Sequence, residues 1–417
     1  MLFFAKAKRQ VLPHRFNNVE FLSEENAAMK PRFVLPAVVS LLCGLSAAQA
    51  HELPEGAAPL EKSEQCAACH PTIFQEWQES FHAKSSVHKD SAHKAMHQAF
   101  SKAMIAKGQK ANYHCATCHA PMSDNLKALM SGEAEPDSSN TTQVEGVGCT
   151  FCHRIEAVNK GKSFDQYTLS KEGAYHTSRP ANKKAPHQTA TSPLFTDGQV
   201  CMGCHSQYVN PHEVPVCVMT EEGKGNCISC HMSPAEGSPA VGSAVKTHFS
   251  HRFPGGHDQD ILQKAAALEV KIETKGKERS ISVAIKNTTE HTFPSTNPMR
   301  MAFVKVRAKD KKGAVIWENF KADPLQEDKQ AVFFKAFKAG EKVGVPSWEA
   351  EAMAFDTRLK TGETRTLTYP LYSPAISEVE VELFYLLFPP KAIEGFGIPK
   401  DGVNDKRYSV AKKSVKM

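Results

Sequence analysis

Five pentapeptides carry the chemistry of this chain: CAACH at 66–70, CATCH at 115–119, CTFCH at 149–153, CMGCH at 201–205 and CISCH at 227–231. Each places two thiols and an imidazole within five residues. C-x-x-C-H is the attachment signature of c-type haem, in which the thiols add to the vinyl groups and the histidine reaches the iron. The expected covalent residues are Cys66, Cys69, Cys115, Cys118, Cys149, Cys152, Cys201, Cys204, Cys227 and Cys230, and the expected proximal ligands are His70, His119, His153, His205 and His231. From composition, roughly 0.02 such pentapeptides would arise by chance. Zinc ribbons also use C-x-x-C pairs, but they do not require a histidine after every pair. A disulfide framework leaves the five histidines without a role. The expected cofactor is therefore five haem c.

The chain has 417 residues, 12 cysteines and 19 histidines. MKPRFVLPAVVSLLCGLSAAQAHE, from Met29, has a basic start, an apolar stretch and an Ala48-Gln49-Ala50 cleavage pattern. It reads as a secretory signal peptide cut after Ala50, with Met29 as a possible true start. Export to the periplasm follows, and suits covalent haem attachment. No later stretch is long and apolar enough to span a membrane. Removing residues 1–50 takes away six basic and three acidic side chains and leaves a net charge of +3, which is not a nucleic-acid signature.

Further imidazoles are needed to complete the coordination of iron. In PTIFQEWQESFHAKSSVHKD, Ile73, Trp77 and Phe81 recur at helical spacing and His82 lies beside that stripe. His93 and His97 stand at i, i+4 on one helix face and are read as solvated, with iron ligation as the alternative. His114 directly precedes Cys115, too close to serve its own haem. HRFPGGH at 251–257 is a proline–glycine turn that brings His251 and His257 to the end of the cysteine-rich region. Cys217 is outside every motif and is read as a buried structural thiol, with a reactive thiol or an iron ligand as alternatives.

From about residue 262 the cysteines stop. ALEVKIET, SISVAIKN, MAFVKVRAKD and VEVELFYLLF alternate apolar and polar residues, which predicts strands. A hairpin turn is expected at Lys311-Lys312-Gly313, and LFPPKAIEGFG is expected to be a structured loop. The expected fold class is α+β: a mostly helical, loop-rich multihaem domain over 51–260, after the 1–50 signal segment, then a β-sandwich over 261–417.

CAACHPTIFQEWQESFHAKS, followed by EGVGCTFCH, resembles the multihaem cytochromes typified by the tetrahaem electron carrier of ammonia-oxidising bacteria. The match rests on His70, Trp77 and His82, and on Gly146, Val147, Cys149, Cys152 and His153. It covers about residues 60–210. The resemblance implies that His82 is a distal ligand to a different haem from its own motif's, and that His176 or His187 also ligates. The chain departs from that carrier in its fifth motif and its long C-terminal region. There it is similar to larger exported multihaem cytochromes, which implies ligand roles for His251 and, through the degenerate stretch EHTFPSTNPMR, for His291. The implied function is electron transfer between periplasmic redox partners, such as a quinol dehydrogenase or other cytochromes. The alternative is reduction or oxidation of a small nitrogen or sulfur compound at a five-coordinate haem. No C-x-x-C-K motif is present, and the oligomeric state is open. Mass spectrometry of the exported protein is expected to show five covalent haems; four or fewer would break the motif reading.

Overall fold

The computed structural model describes residues 51, 53–161, 163–206, 208–219 and 226–417. The expected signal segment lies outside these residues. Among them, no helix is long and apolar enough to cross a membrane.

Helix α1 (Pro71–Glu79) begins directly after His70 with proline at its first position, where the missing N–H costs nothing. Ser80 takes an extended conformation and ends it, so Phe81 and His82 stand beyond the helix instead of continuing its stripe. Trp77 is buried and donates through Nε1 to the Val147 carbonyl at 2.8 Å, which ties α1 to the approach of the third motif. Gly146 completes that joint. Its φ is +81°, and a Cβ there would lie 2.5 Å from the His82 carbonyl oxygen. Helix α2 (Ser91–Ala106) is capped by Asp90, whose carboxylate accepts from the Ala92 and His93 amides.

Each motif sits on a helical turn. Residues i, i+3 and i+4 of such a turn share a face, so two thiols and one imidazole project together. Examples are Ala116–His119, Cys149–His153 and Cys227–His231, the last capped by Asn226. Among the described residues, the segments between the motifs hold three two-stranded ribbons and a fourth follows the last motif, so this half is less purely helical than expected. The ribbons bring backbone carbonyls toward the motifs, a task no side-chain pattern announces.

Beyond residue 265 the chain is mostly strand. One antiparallel sheet has Glu278–Asn287 at its centre, flanked by Ala266–Lys275 and Thr364–Leu371. A second runs Val315–Glu318, Met301–Lys309, Glu378–Leu386, Arg407–Lys416, with Val332–Phe333 also paired to Met301–Lys309. The expected turn forms at Asp310–Gly313, where Gly313 has φ +81° and the Asp310 carboxylate accepts from the Lys312 and Ala314 amides. The expected loop at 387–397 contains a short helix, Pro390–Phe396. It starts on a proline and stops at Gly397 in the left-handed region, a start and stop that outweigh its apolar, loop-like composition.

The two sheets share one core. Ile281, Val283 and Ile285 from the first pack with Val304, Val306, Val381 and Leu383 from the second, all fully buried. Packing crosses residue 260. Ala92 and Ala95 of α2 enter this same core, and Val214 and Val216 pack with Phe337 of a smaller sheet and with Val345 and Ala350 between its strands. The C-terminal sheets therefore buttress the motif-bearing half. Ile281→Ala is expected to destabilise the haem-loaded protein by about 2–5 kcal/mol in denaturant titration, against within about 0.5 kcal/mol for Lys277→Ala in the exposed turn.

Candidate haem-binding site

All ten motif cysteines and all five motif histidines line one continuous cavity of about 2590 Å³. A pocket for one small ligand holds about 300–1,000 Å³, so this space is several times larger than such a pocket. The motifs are neighbours within it. The thiols of Cys66 and Cys149, of Cys118 and Cys204, and of Cys201 and Cys227 lie within hydrogen-bonding reach of each other. The first motif thus abuts the third, the second the fourth, and the fourth the fifth. Tyr167 seats the fourth: its hydroxyl donates to the Val200 carbonyl at 3.0 Å and accepts from the Cys204 amide at 3.0 Å. A Cβ on Gly203 would lie 2.3 Å from that ring, so only glycine fits inside this motif.

Imidazole orientation is set by the main chain. Nδ1 of His70 donates to the Pro239 carbonyl at 2.6 Å, His119 to Ser85 at 3.1 Å, His153 to His176 at 2.8 Å and His231 to Pro254 at 2.6 Å. Such a bond fixes the tautomer and leaves the Nε2 lone pair for a metal. Burial, with neighbouring imidazoles, pushes His82 down to about 3. Burial likewise pushes His119 and His251 down to about 4, so these rings are neutral near pH 7.

Three pairs of imidazoles face each other across the cavity. Ring centroids are 6.3 Å apart for His70 and His187, 6.1 Å for His82 and His205, and 6.2 Å for His153 and His251. A metal–nitrogen bond of about 2.0–2.1 Å on each side, with roughly 1.1 Å from each nitrogen to its ring centre, places two trans imidazoles about 6 Å apart. The residues present therefore fit haem: paired thiols, a neutral imidazole with a free Nε2, and a second imidazole at iron-spanning distance.

Of the six further histidines singled out in the sequence, His82, His187 and His251 are brought opposite a motif histidine. The other three are not. His176 does not line the cavity, and its carbonyl receives Nδ1 of His153. The ring of His257 lies on Phe81 at 3.8 Å. Nδ1 of His291 is 3.1 Å from the Thr292 carbonyl oxygen. Both line the cavity. Among the described residues, no ring contact near 6 Å involves His119 or His231; His119 has His93 beside it at 4.1 Å.

His93 corrects the expectation of a solvated face. It is only 5% exposed, because α2 turns this face toward the cavity and not to water. Its Nδ1 donates to the Ser85 carbonyl at 2.8 Å, the same carbonyl that receives His119. His114 holds Asn112, with its Nε2 3.8 Å from the Cys115 sulfur. The Cys217 thiol is half-buried, 3.1 Å from the Thr296 hydroxyl and 3.5 Å from the His205 carbonyl. Sequence reasoning missed Glu76, which is 6% exposed and contacts His248 and the His251 amide. A glutamate beside a tryptophan on an amphipathic helix carries no signal of such a role.

Residues 65–154 match the sequence profile of a family described as cytochrome c554 and c-prime. Among solved structures, a penta-heme cytochrome c552 from Thermochromatium tepidum superposes with a TM-score of 0.70 at 23% identity, over 86% of this chain and 99% of that one. A Northeast Structural Genomics Consortium target (TM-score 0.17, 8% identity, 37% of this chain and 89% of that one) and β-glucosidase 3B from Thermotoga neapolitana in complex with glycerol (TM-score 0.11, 12% identity, 37% and 17%) are too dissimilar to bear on the argument. No curated protein matches the chain. The motifs and the family match over residues 65–154 support a multihaem c-type cytochrome, and the shared fold is of mixed α+β architecture.

Replacing His82, His187 or His251 by methionine, one at a time, is expected to change the optical and EPR signature of one haem each. His176→Met leaves its carbonyl in place and is expected to change none.

Proposed function

We propose that this chain is an exported electron carrier that holds five haem c groups and passes electrons between redox proteins, such as a quinol dehydrogenase and other cytochromes. The observation that carries this reading is the set of three imidazole pairs, 6.1–6.3 Å apart, across a cavity that every motif lines. Haem bound there supplies one-electron chemistry between ferric and ferrous iron. The chain's own residues do the rest. Cys66 and Cys69, Cys115 and Cys118, Cys149 and Cys152, Cys201 and Cys204, and Cys227 and Cys230 anchor the five groups covalently. His70, His119, His153, His205 and His231 hold the iron from one side, and His187, His251 and His82 face three of them from the other. At these three sites, imidazoles on both faces would leave no open position for substrate, which favours a carrier.

Adjacent motifs place the sites in contact, first with third, second with fourth and fourth with fifth. Apolar side chains such as Phe74, Phe81, Phe195 and Phe253 line the same space and keep water from the iron. The penta-heme cytochrome that shares the fold supports a count of five. We read residues 51–260 as the haem-bearing domain and 261–417 as a β-sandwich, supported by the core its two sheets share. Export rests on the signal pattern that ends at Ala50.

A second reading, reduction or oxidation of a small nitrogen or sulfur compound, draws on His119. Its imidazole neighbour, His93, is at 4.1 Å and on the same carbonyl, which is the wrong arrangement for a trans pair. EPR and optical spectra of the haem-loaded protein decide between the two. A carrier is expected to keep its spectrum on addition of nitrite, hydroxylamine or sulfite. A high-spin component that shifts with any of these would favour the second reading.

A further inference from the structure

We propose that Glu76 is a positioning residue shared by two of the iron sites: it sets His251 opposite His153 and, through His248, sets the carbonyl that orients His70. The inference rests on the five-haem reading. Glu76 lies on α1 and is 6% exposed, so its carboxylate must be satisfied by the protein. Oε2 accepts from the main-chain N–H of His251 at 2.8 Å and from Nε2 of His248 at 3.1 Å, and Oε1 lies 3.8 Å from Nε of Arg252. A bond to the main-chain N–H of residue 251 fixes where that side chain begins. Nδ1 of His251 then donates to the Phe249 carbonyl at 2.8 Å, which aims Nε2 at the cavity. The ring comes to rest 6.2 Å from His153 with the planes 22° apart.

The second arm runs through His248, which is 3% exposed. Its Nδ1 contacts the Gly237 carbonyl at 3.0 Å while Nε2 meets Glu76, so both ring nitrogens are committed and neither is left for iron. Gly237 follows the strand Pro234–Glu236, which pairs with Thr247–Phe249. The loop between these strands carries Pro239, whose carbonyl receives Nδ1 of His70, and Val241, whose amide bonds the Cys69 carbonyl at 2.8 Å. The loop is thus held to the first motif at one end and to α1, through His248 and Glu76, at the other. Because α1 starts at Pro71, the loop and the motif are referred to the same helix. The two sites that share this joint belong to the first and third motifs, whose thiols also adjoin.

The test uses the haem-loaded protein, with redox-monitored optical and EPR spectra resolved by site. Signals are assigned by their change in His187→Met, which marks the His70 site, and in His251→Met, which marks the His153 site. Glu76→Gln, nearly isosteric, is expected to shift both of these signals and leave the others in place. His248→Phe cuts only the second arm and is expected to shift the His70 signal alone. Glu79→Gln, on the exposed side of α1, is expected to shift neither. The proposal is overturned if Glu76→Gln moves no signal or all of them, or if His248→Phe leaves the His70 signal unchanged. Failure of the five-haem reading would show earlier, as fewer than five haems or no paired-imidazole signals in the unmodified protein.

Discussion

The hydrogen bond from an imidazole Nδ1 to a main-chain carbonyl is the interaction on which the rest of this structure depends. It fixes ring plane and tautomer at once, and it leaves Nε2 as the only nitrogen available to iron. In His70 the acceptor is 169 residues away, at Pro239; in His119, His153 and His231 it is 23 to 34 residues away. Motif residues arrive on short helical turns that hold themselves together. The carbonyls do not, and must be brought in by ribbons, turns and loops. Much of the chain between the motifs is spent on that task.

This arrangement explains how the protein is stabilised. A region built around a cavity of about 2590 Å³ cannot rest on one continuous apolar core. Its buried side chains fall into small clusters, such as Val87, Tyr113 and Leu129, or Phe151, Ile155 and Tyr167. The large core lies in the C-terminal sheets, where Ile281, Val283, Val304, Val306 and Val381 are fully buried. Helix α2 couples the two. One of its faces sends Ala92 and Ala95 into the sheet core, while His93 turns toward the cavity. A helix with two buried faces carries no clean amphipathic signature, which is why its histidines read as solvated.

What was legible in the sequence was what is local. The five pentapeptides state their chemistry because thiols and imidazole must share one helical face. Four strands showed as alternation, and the turn at Gly313 as a glycine closing a run of charged residues. What was not legible was pairing at a distance. Nothing near residue 82 marks it as the partner of His205, and nothing in GSPAVGS says that the carbonyl of Pro239 serves His70. Backbone acceptors have no residue-type signal, and a buried carboxylate such as Glu76 looks like any charged residue of a surface helix. Among the histidines outside the motifs, composition could supply candidates; only the fold separates His187 and His251, which face motif imidazoles, from His176, which lends its carbonyl.

The central claim is that three imidazole pairs, drawn from separate parts of the chain, each hold one iron. Diffraction from crystals of the haem-loaded protein, collected at the iron absorption edge, locates iron without reference to the protein atoms. The account predicts five anomalous peaks, three of them midway between His70 and His187, His82 and His205, and His153 and His251. Peaks bonded to other imidazoles, or absent between these pairs, would contradict it.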